Sequence, residues 1–515
     1  MKNGWLFALA AVLMVVPGVA GAAPQGKVVI AQGVDPSTLD TMNQQETPAS
    51  VVAAHIYDTL VERDQSLKLT PALAAALPKL VSPTTWEIKL RTGVKFHNGE
   101  EFNAESVKFS LERVKDSSMR GSSSFKPIDR VEIVDASTVR VHTSKPWPIF
   151  INALTQRQAS MYPPKAYAGK ETAFISKNPI GTGPYRFVRW SKDEEIVLEA
   201  HDQYFRGAPR IKTVVFRPIP DDAVRVAALQ NGEVDVAVNI PPHLANIIAN
   251  HPTIFLSTAP SIRTIQIMFY THQYDTQNKL VGPYQGPTAD RRVRQAISYA
   301  IDADEIIKTV LDGKAQRVAT MLPSMHFGFD PTLKPIKADV AKTKKLLADA
   351  GFPNGVDIAF NGPQGRYVRD REVAEAVSGQ LTKAGIRTTL RTHEFVAYLN
   401  TMVYVHKAGP VWLIGWGHPA MDAEAIYVPL FKSPGIFVNW DNADFNGMVE
   451  AAQSEMDEKK RLALYHRINK LWIEEVPAVP LYQQIDLYGA SKRLGWKARS
   501  DELIRAYDMA LKPGS

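Results

Sequence analysis

None of the 515 residues is cysteine. A chain of this length therefore stands on apolar burial and hydrogen bonding alone. Disulfides, Cys-ligated zinc, iron–sulfur clusters, Cys nucleophiles and a lipidated N-terminal Cys are all excluded. The apolar supply is sufficient: 45% of residues are hydrophobic and 22% charged, the balance of a globular chain. At roughly 150 residues per domain, the length predicts about three domains. A formal net charge of +7 is mild for this length. It serves solubility and is no nucleic-acid footprint.

The first residues read as an export signal. Lys2 gives a positive start, Trp5 to Val16 is an unbroken apolar run, and Pro17-Gly18 ends it. Small residues follow, with Ala20 and Ala22 placed for a cut between Ala22 and Ala23. The run is shorter than the ~20 residues of a spanning helix. The expectation is a signal peptide over 1–22 and a mature protein that is exported, soluble and not lipidated, as in a Gram-negative periplasm.

Strand and helix patterns mix along the rest. Trp86, Ile88 and Leu90 alternate with charged residues, Asn98-Gly99 is a tight-turn dipeptide, and Asn103 caps a helix whose apolar face is Val107, Leu111 and Val114. Segments 131–134 and 138–142 predict a hairpin. Asn178 to Pro184 is a dense turn cluster and a boundary. Beyond residue 265 helices alternate with strands: helices begin at Asp290, Asp304, Asp339, Asp370 and Asp457, with a strand over 356–360.

Catalytic motifs are missing. No Gly-x-Ser-x-Gly elbow and no phosphate-binding Gly-x-x-x-x-Gly-Lys-Ser/Thr occurs. Gly181-Thr-Gly-Pro184 fails as a phosphate cradle because Pro184 lacks an N–H. The 12 His residues are scattered, with no two at metal-binding helical spacing. The reading is a non-enzyme without cofactor or metal. The rival is an exported hydrolase that assembles carboxylates from distant segments.

Three segments carry binding chemistry. In Val411 to Gly417, Trp412, Ile414 and Trp416 share one strand face. The strand runs into the turn Gly417-His418-Pro419, then Asp422 and Glu424. Ligands of βα units gather at strand carboxyl ends, and an aromatic floor beside carboxylates suits a cation or a multiple donor. Arg366, Arg369 and Arg371 also join a strand end to a helix start and offer forked donors to a carboxylate. Near the N-terminus the polar segment Thr38 to Gln45 contributes Gln44 and Gln45.

Five segments together carry a family resemblance. They are Tyr57-Asp-Thr-Leu-Val; Ser82-Pro-Thr-Thr-Trp-Glu-Ile-Lys-Leu-Arg-Thr-Gly-Val-Lys-Phe-His-Asn-Gly-Glu100; Pro179-Ile-Gly-Thr-Gly-Pro-Tyr-Arg-Phe187; Asp290-Arg-Arg-Val-Arg-Gln-Ala-Ile297; and Lys345-Leu-Leu-Ala-Asp-Ala-Gly351. In this order they resemble the family 5 extracellular solute-binding proteins of ABC importers, which include dipeptide-, oligopeptide- and nickel-binding proteins. The resemblance runs from near the mature N-terminus to beyond Tyr488.

It implies an α/β protein like the type II periplasmic binding proteins: two ligand-gripping lobes, a two-strand hinge and an extra α+β domain. Domain I would be 23–56, 179–262 and 477–515, domain II 57–178 and domain III 263–476. Solute would bind between domains I and III, with the turn after Trp416 in the cleft. A monomer would then dock on an inner-membrane permease with ATPase subunits. Many dipeptide-binding relatives place Asp three residues after the Trp of the Gly-Trp motif, to hold the α-ammonium. This chain has Pro419 there. The nickel-binding branch has His two residues after the following Asp, and here Glu424 follows Asp422. The expected cargo is a short peptide or a peptide-like solute such as an opine or glutathione. The alternative is a nickel chelate or another non-peptide.

Overall fold

The computed structural model describes residues 23–512 apart from Asn278 and Ile436. The expected export signal, 1–22, lies outside the described residues.

The chain enters on β1 (Gln25–Gln32). Its run Val28-Val-Ile-Ala31 has no polar member because both faces are covered. Val28 and Ile30 point into one apolar core, and Val29 and Ala31 into a second. The next segment forms its own four-stranded antiparallel sheet. Its strands are β2 (Lys79–Ser82), β3 (Thr85–Lys89), β4 (Ile128–Asp135) and β5 (Thr138–Thr143), in spatial order β2-β3-β5-β4. Against it lies α1 (Ala104–Val114), capped by Asn103 and Ser106 in a reciprocal box.

Ten further elements build the frame of the site. They are β6 (Tyr185–Ser191), β7 (Glu195–Ala200), β8 (Ile211–Pro218), β9 (Val236–Ala237), β10 (Ile254–Phe269), β11 (Val356–Gln364), α2 (Asp370–Lys383), β12 (Ile386–Glu394), β13 (Val411–Gly417) and β14 (Ala478–Ser491). With β1 the nine strands among them make one sheet in the order β12-β11-β13-β10-β14-β9-β1-β8-β7-β6. The short strand Ala315–Gln316 adds to β14 at the side.

Two long strands carry the sheet from one half to the other. β10 and β14 pair antiparallel from Ile254↔Ser491 to Met268↔Ala478. Their register breaks between Pro260 and Thr264, where three residues of β10 stand opposite Gln484 alone. Such a break bends and twists a ladder. The expected boundary at 262/263 falls inside this break. The one at 476/477 falls ahead of β14, whose crossing point is Gln484.

β11 continues four residues past the expected strand end at Phe360. Asn361 to Gln364 pair in parallel with Arg391 to Glu394, so the sheet overrides the turn preference of Asn-Gly-Pro. Among the described residues no helix is long and apolar enough to cross a membrane.

Candidate functional site

The halves of the large sheet face each other across a cleft of ≈ 980 Å³, open solvent included. Arg263 projects into it from the register break, where its strand has left the regular ladder. Its Nη1 donates to the Gly415 carbonyl at 3.0 Å and its Nη2 to Thr47 Oγ1 at 2.8 Å. Its Nε donates to Glu502 Oε1 at 2.6 Å and its Nη2 to Glu502 Oε2 at 3.0 Å.

Arg366 arrives from the opposite half, on the loop after β11. The Asp370 carboxylate shapes that loop by accepting the N–H groups of Gly365, Arg366, Tyr367 and Arg371 at 2.9 to 3.1 Å. Burial still pushes the Asp370 carboxyl up to about 6 against those four donors. Arg366 Nη2 donates to Glu502 Oε2 at 3.0 Å, while its carbonyl accepts from Asn239 Nδ2 at 2.8 Å. One carboxylate thus ties the hinge strand to the far lobe.

Glu502 holds this position in a left-handed backbone, φ 60, a strained conformation for a residue with a side chain. Its carboxylate also accepts from Ser261 Oγ at 2.9 Å. Burial would raise its pKa, but the two guanidinium groups overcome that and hold it below the usual carboxylate range. Between the same two arginines lies Tyr367, with the Arg263 and Arg366 guanidinium carbons 5.3 and 5.1 Å from its ring centre.

Aromatic side chains close the cleft. Trp416 is 7% exposed, meets Phe437 edge-on at 4.9 Å and donates its Nε1–H to the Ala425 carbonyl at 3.2 Å. Arg120 lies over Tyr404 at 4.3 Å and donates to Asn400 Oδ1 at 3.1 Å, which brings the 57–178 segment against the second lobe. Gly33 and Gly365 meet across the lobes so closely that a Cβ on Gly33 would overlap the Gly365 carbonyl. The lobes are closed on one another.

Residues 68–437 match the model of the bacterial extracellular solute-binding proteins, family 5 middle region. The chain belongs to this family.

Among family 5 relatives, the glutathione-binding protein GsiB of Pectobacterium atrosepticum is 30% identical over 454 residues, covering 87% of this chain and 84% of the relative. Among solved structures, the periplasmic binding protein DppA of Helicobacter pylori, in complex with the peptide STSA, superposes with a TM-score of 0.85. It is 25% identical over 94% of this chain and 98% of its own. AgaA of A. tumefaciens R10, in complex with agropinic acid, shares the fold with a TM-score of 0.83 at 24% identity, over 95% and 99% of the two chains. The fold is that of the type II periplasmic binding proteins.

Within this family 5 cleft the sequence candidates separate. Gln45, Arg366, Trp416 and His418 line it. Gln45 donates to the Arg120 carbonyl at 2.8 Å and leaves Oε1 unpartnered and buried. Burial, then the charge of Arg63, pushes His418 down to about 3, so it is a neutral imidazole.

The others do not line the cleft. Gln44 folds its own turn, accepting from the Glu46 N–H at 2.6 Å and donating to Ser50 Oγ at 3.1 Å. Trp412 is 1% exposed in the second lobe's core. Asp422 forks onto Arg461 at 2.6 and 2.7 Å. Glu424 accepts from Trp147 Nε1 at 3.1 Å and Gln453 Nε2 at 3.2 Å. Arg369 and Arg371 pair with Glu372 at 3.3 and 3.8 Å along the start of α2, facing a different depression.

Sequence reading did not find Arg263, Tyr367, Tyr404 or Glu502. Arg263 and Glu502 are 239 residues apart, and neither lies in a periodic pattern. A sequence signal existed only for Tyr367, next to Arg366. No group of three His, Asp or Glu side chains among the described residues could hold a metal ion.

Proposed function

We propose that this family 5 protein is the periplasmic, non-lipidated, non-catalytic receptor of an ABC importer. It captures a short peptide or a peptide-like solute, such as glutathione or an opine, and delivers it as a monomer to an inner-membrane permease with ATPase subunits. Residues 23–56, 179–262 and 477–515 form domain I on this reading, 57–178 domain II and 263–476 domain III.

The observation that carries it is the Arg263–Glu502–Arg366 clasp spanning the lobes beside an aromatic wall. A solute with both carboxylate and ammonium groups can engage the two guanidinium groups and Glu502 together only while the lobes are shut, and so stabilises closure by its differential contacts. Arg366 receives a solute carboxylate in competition with Glu502. Gln45 Oε1 accepts a solute N–H, and Trp416 packs on its apolar part. The departure at Pro419 moves the ammonium anchor away from the Gly-Trp motif, and Glu502 is the cleft acid that already faces two arginines. The relative named for glutathione and the neighbour holding a tetrapeptide support a cargo of this size.

Calorimetry with glutathione, di- and tripeptides and opines, paired with small-angle scattering and mass analysis of the recovered solute, tests the reading. Saturable binding with intact solute and a smaller radius of gyration is expected. Binding without compaction, hydrolysed solute, or no binding by any zwitterion overturns it.

A further inference from the structure

A second and larger cavity opens away from the cleft, between the 57–178 segment and the first lobe. It encloses ≈ 2040 Å³, open solvent included. Six cationic side chains line it, Arg157, Arg206, Arg210, Lys497, Arg499 and Arg505, against four carboxylates.

Three of those carboxylates have partners of their own, and Asp508 is the fourth. Asp58 accepts from Thr182 Oγ1 at 2.9 Å and Tyr204 OH at 3.0 Å. Asp64 accepts the N–H groups of Ser66 and Lys68 in its own turn. Glu62 answers both Arg206 and Arg505. Arg499 is held by Asp501 at 2.7 Å, a residue of the solute cleft.

Three of the six cations make no ion pair among the described residues, and the lining carries two more cations than carboxylates. Arg157 is 6% exposed and donates through Nη1 to the Tyr57 carbonyl at 3.3 Å, but its Nε–H has no partner. Burial, then the charge of Arg505, pushes its guanidinium down to about 10. Arg210 and Lys497 stand exposed at the rim and make no ion pair among the described residues. A buried donor without an acceptor is costly, and a recess lined with excess positive charge concentrates anions.

We propose that this cavity binds a small oxyanion of the phosphate or sulfate type, with Arg157 at its floor and Arg210 and Lys497 at its rim. Such an anion supplies acceptors in several directions at once, which matches forked donors arriving from separate segments.

Calorimetry and thermal melts in potassium phosphate against potassium chloride of equal ionic strength test the site. Saturable, phosphate-specific binding is expected. It should weaken about tenfold in the double variant Arg210→Gln, Lys497→Gln, whose exposed positions leave the fold intact. It should persist in Arg366→Gln, whose side chain lines the cleft and not this cavity. Three results overturn the proposal: phosphate acting no differently from chloride, the double variant binding as tightly as the parent, or binding lost in Arg366→Gln instead. None depends on which solute the cleft takes.

Discussion

Two buried arginine–carboxylate clusters flank the segment 411–424, and they differ in what they tie together. In one, Arg461 is saturated by Asp422, Glu424, the Ala452 carbonyl and Tyr465, and Glu424 reaches Trp147 of the 57–178 segment. In the other, Glu502 spans the cleft from a strained backbone and shares itself between Arg263 and Arg366. The first cluster glues packed surfaces and offers no lining to the cleft. The second stands where two lobes separate. A buried ion pair is weak evidence of either role, and only its place relative to the hinge distinguishes a brace from a clasp.

Asp422→Ala gives the largest expected effect. It strands Arg461 without its forked partner, and removing one member of a buried pair costs about 3–5 kcal/mol. Denaturant melts should show that loss, with solute affinity of the folded fraction unchanged. An affinity change as large as the stability change would move Asp422 into the clasp's class.

Trp416→Ala should fail in both ways. The ring is nearly buried against Phe437, so truncation costs roughly 3–5 kcal/mol of stability, and its cleft edge contributes on the order of 1–3 kcal/mol to solute binding. Apo melting and affinity measured side by side separate the two parts. Unchanged affinity would make the ring purely core.

Arg366→Gln should weaken a carboxylate-bearing solute by about 1.5–3 kcal/mol, the scale for a hydrogen bond to a charged group. Scattering should also show an apo molecule that opens more readily, because the variant cuts the link between Glu502 and the loop after β11. Equal affinity for a solute and its carboxyl-amidated form in the parent would break this assignment.

The smallest effect is a difference in pH slope. Burial, reinforced by Asp422, lifts Glu424 to about 7 from an ordinary 4.5. A raised carboxyl contributes stability below pH 4.5 that is lost as pH rises through 7, at up to about 1.4 kcal/mol per pH unit. Glu502 is depressed, so its contribution is present above pH 4.5 and lost as pH falls below it. Glu424→Gln should flatten the decline between pH 4.5 and 7. Glu502→Gln should instead flatten the acid limb. If both variants alter the same limb, the clusters are coupled.

Much of the frame was legible because its signals are local. The Asn103 and Asp339 caps, the hairpin of 131–134 with 138–142 and the helix ending at Glu475 all follow from local pattern. At the site, the loop carrying Arg366 and the strand carrying Trp416 were found for the same reason. Asp422 and Glu424 read as equally exposed to a ligand, since nothing nearby in sequence announces Arg461, 39 and 37 residues away. The Glu502 clasp was illegible for a stronger reason. Its three charged members come from three distant segments, and the strained backbone of Glu502 is imposed by tertiary packing against the preference of the residue.

The sheet order also has a kinetic side. β1 lies between β8 and β9, and β9 completes its ladder only against β14, through Val236↔Ala490. A growing chain can satisfy the 57–178 segment and β11 to β13 from continuous sequence. The half-sheet around β1 can pair as far as β9 by residue 237, but the second edge of β9 must wait for residues 478–491. Pairings of such long sequence separation form slowly, and until they form one side of β9 is an unpaired edge open to aggregation. The strand that joins the two halves of the sheet is thus among the last to be made.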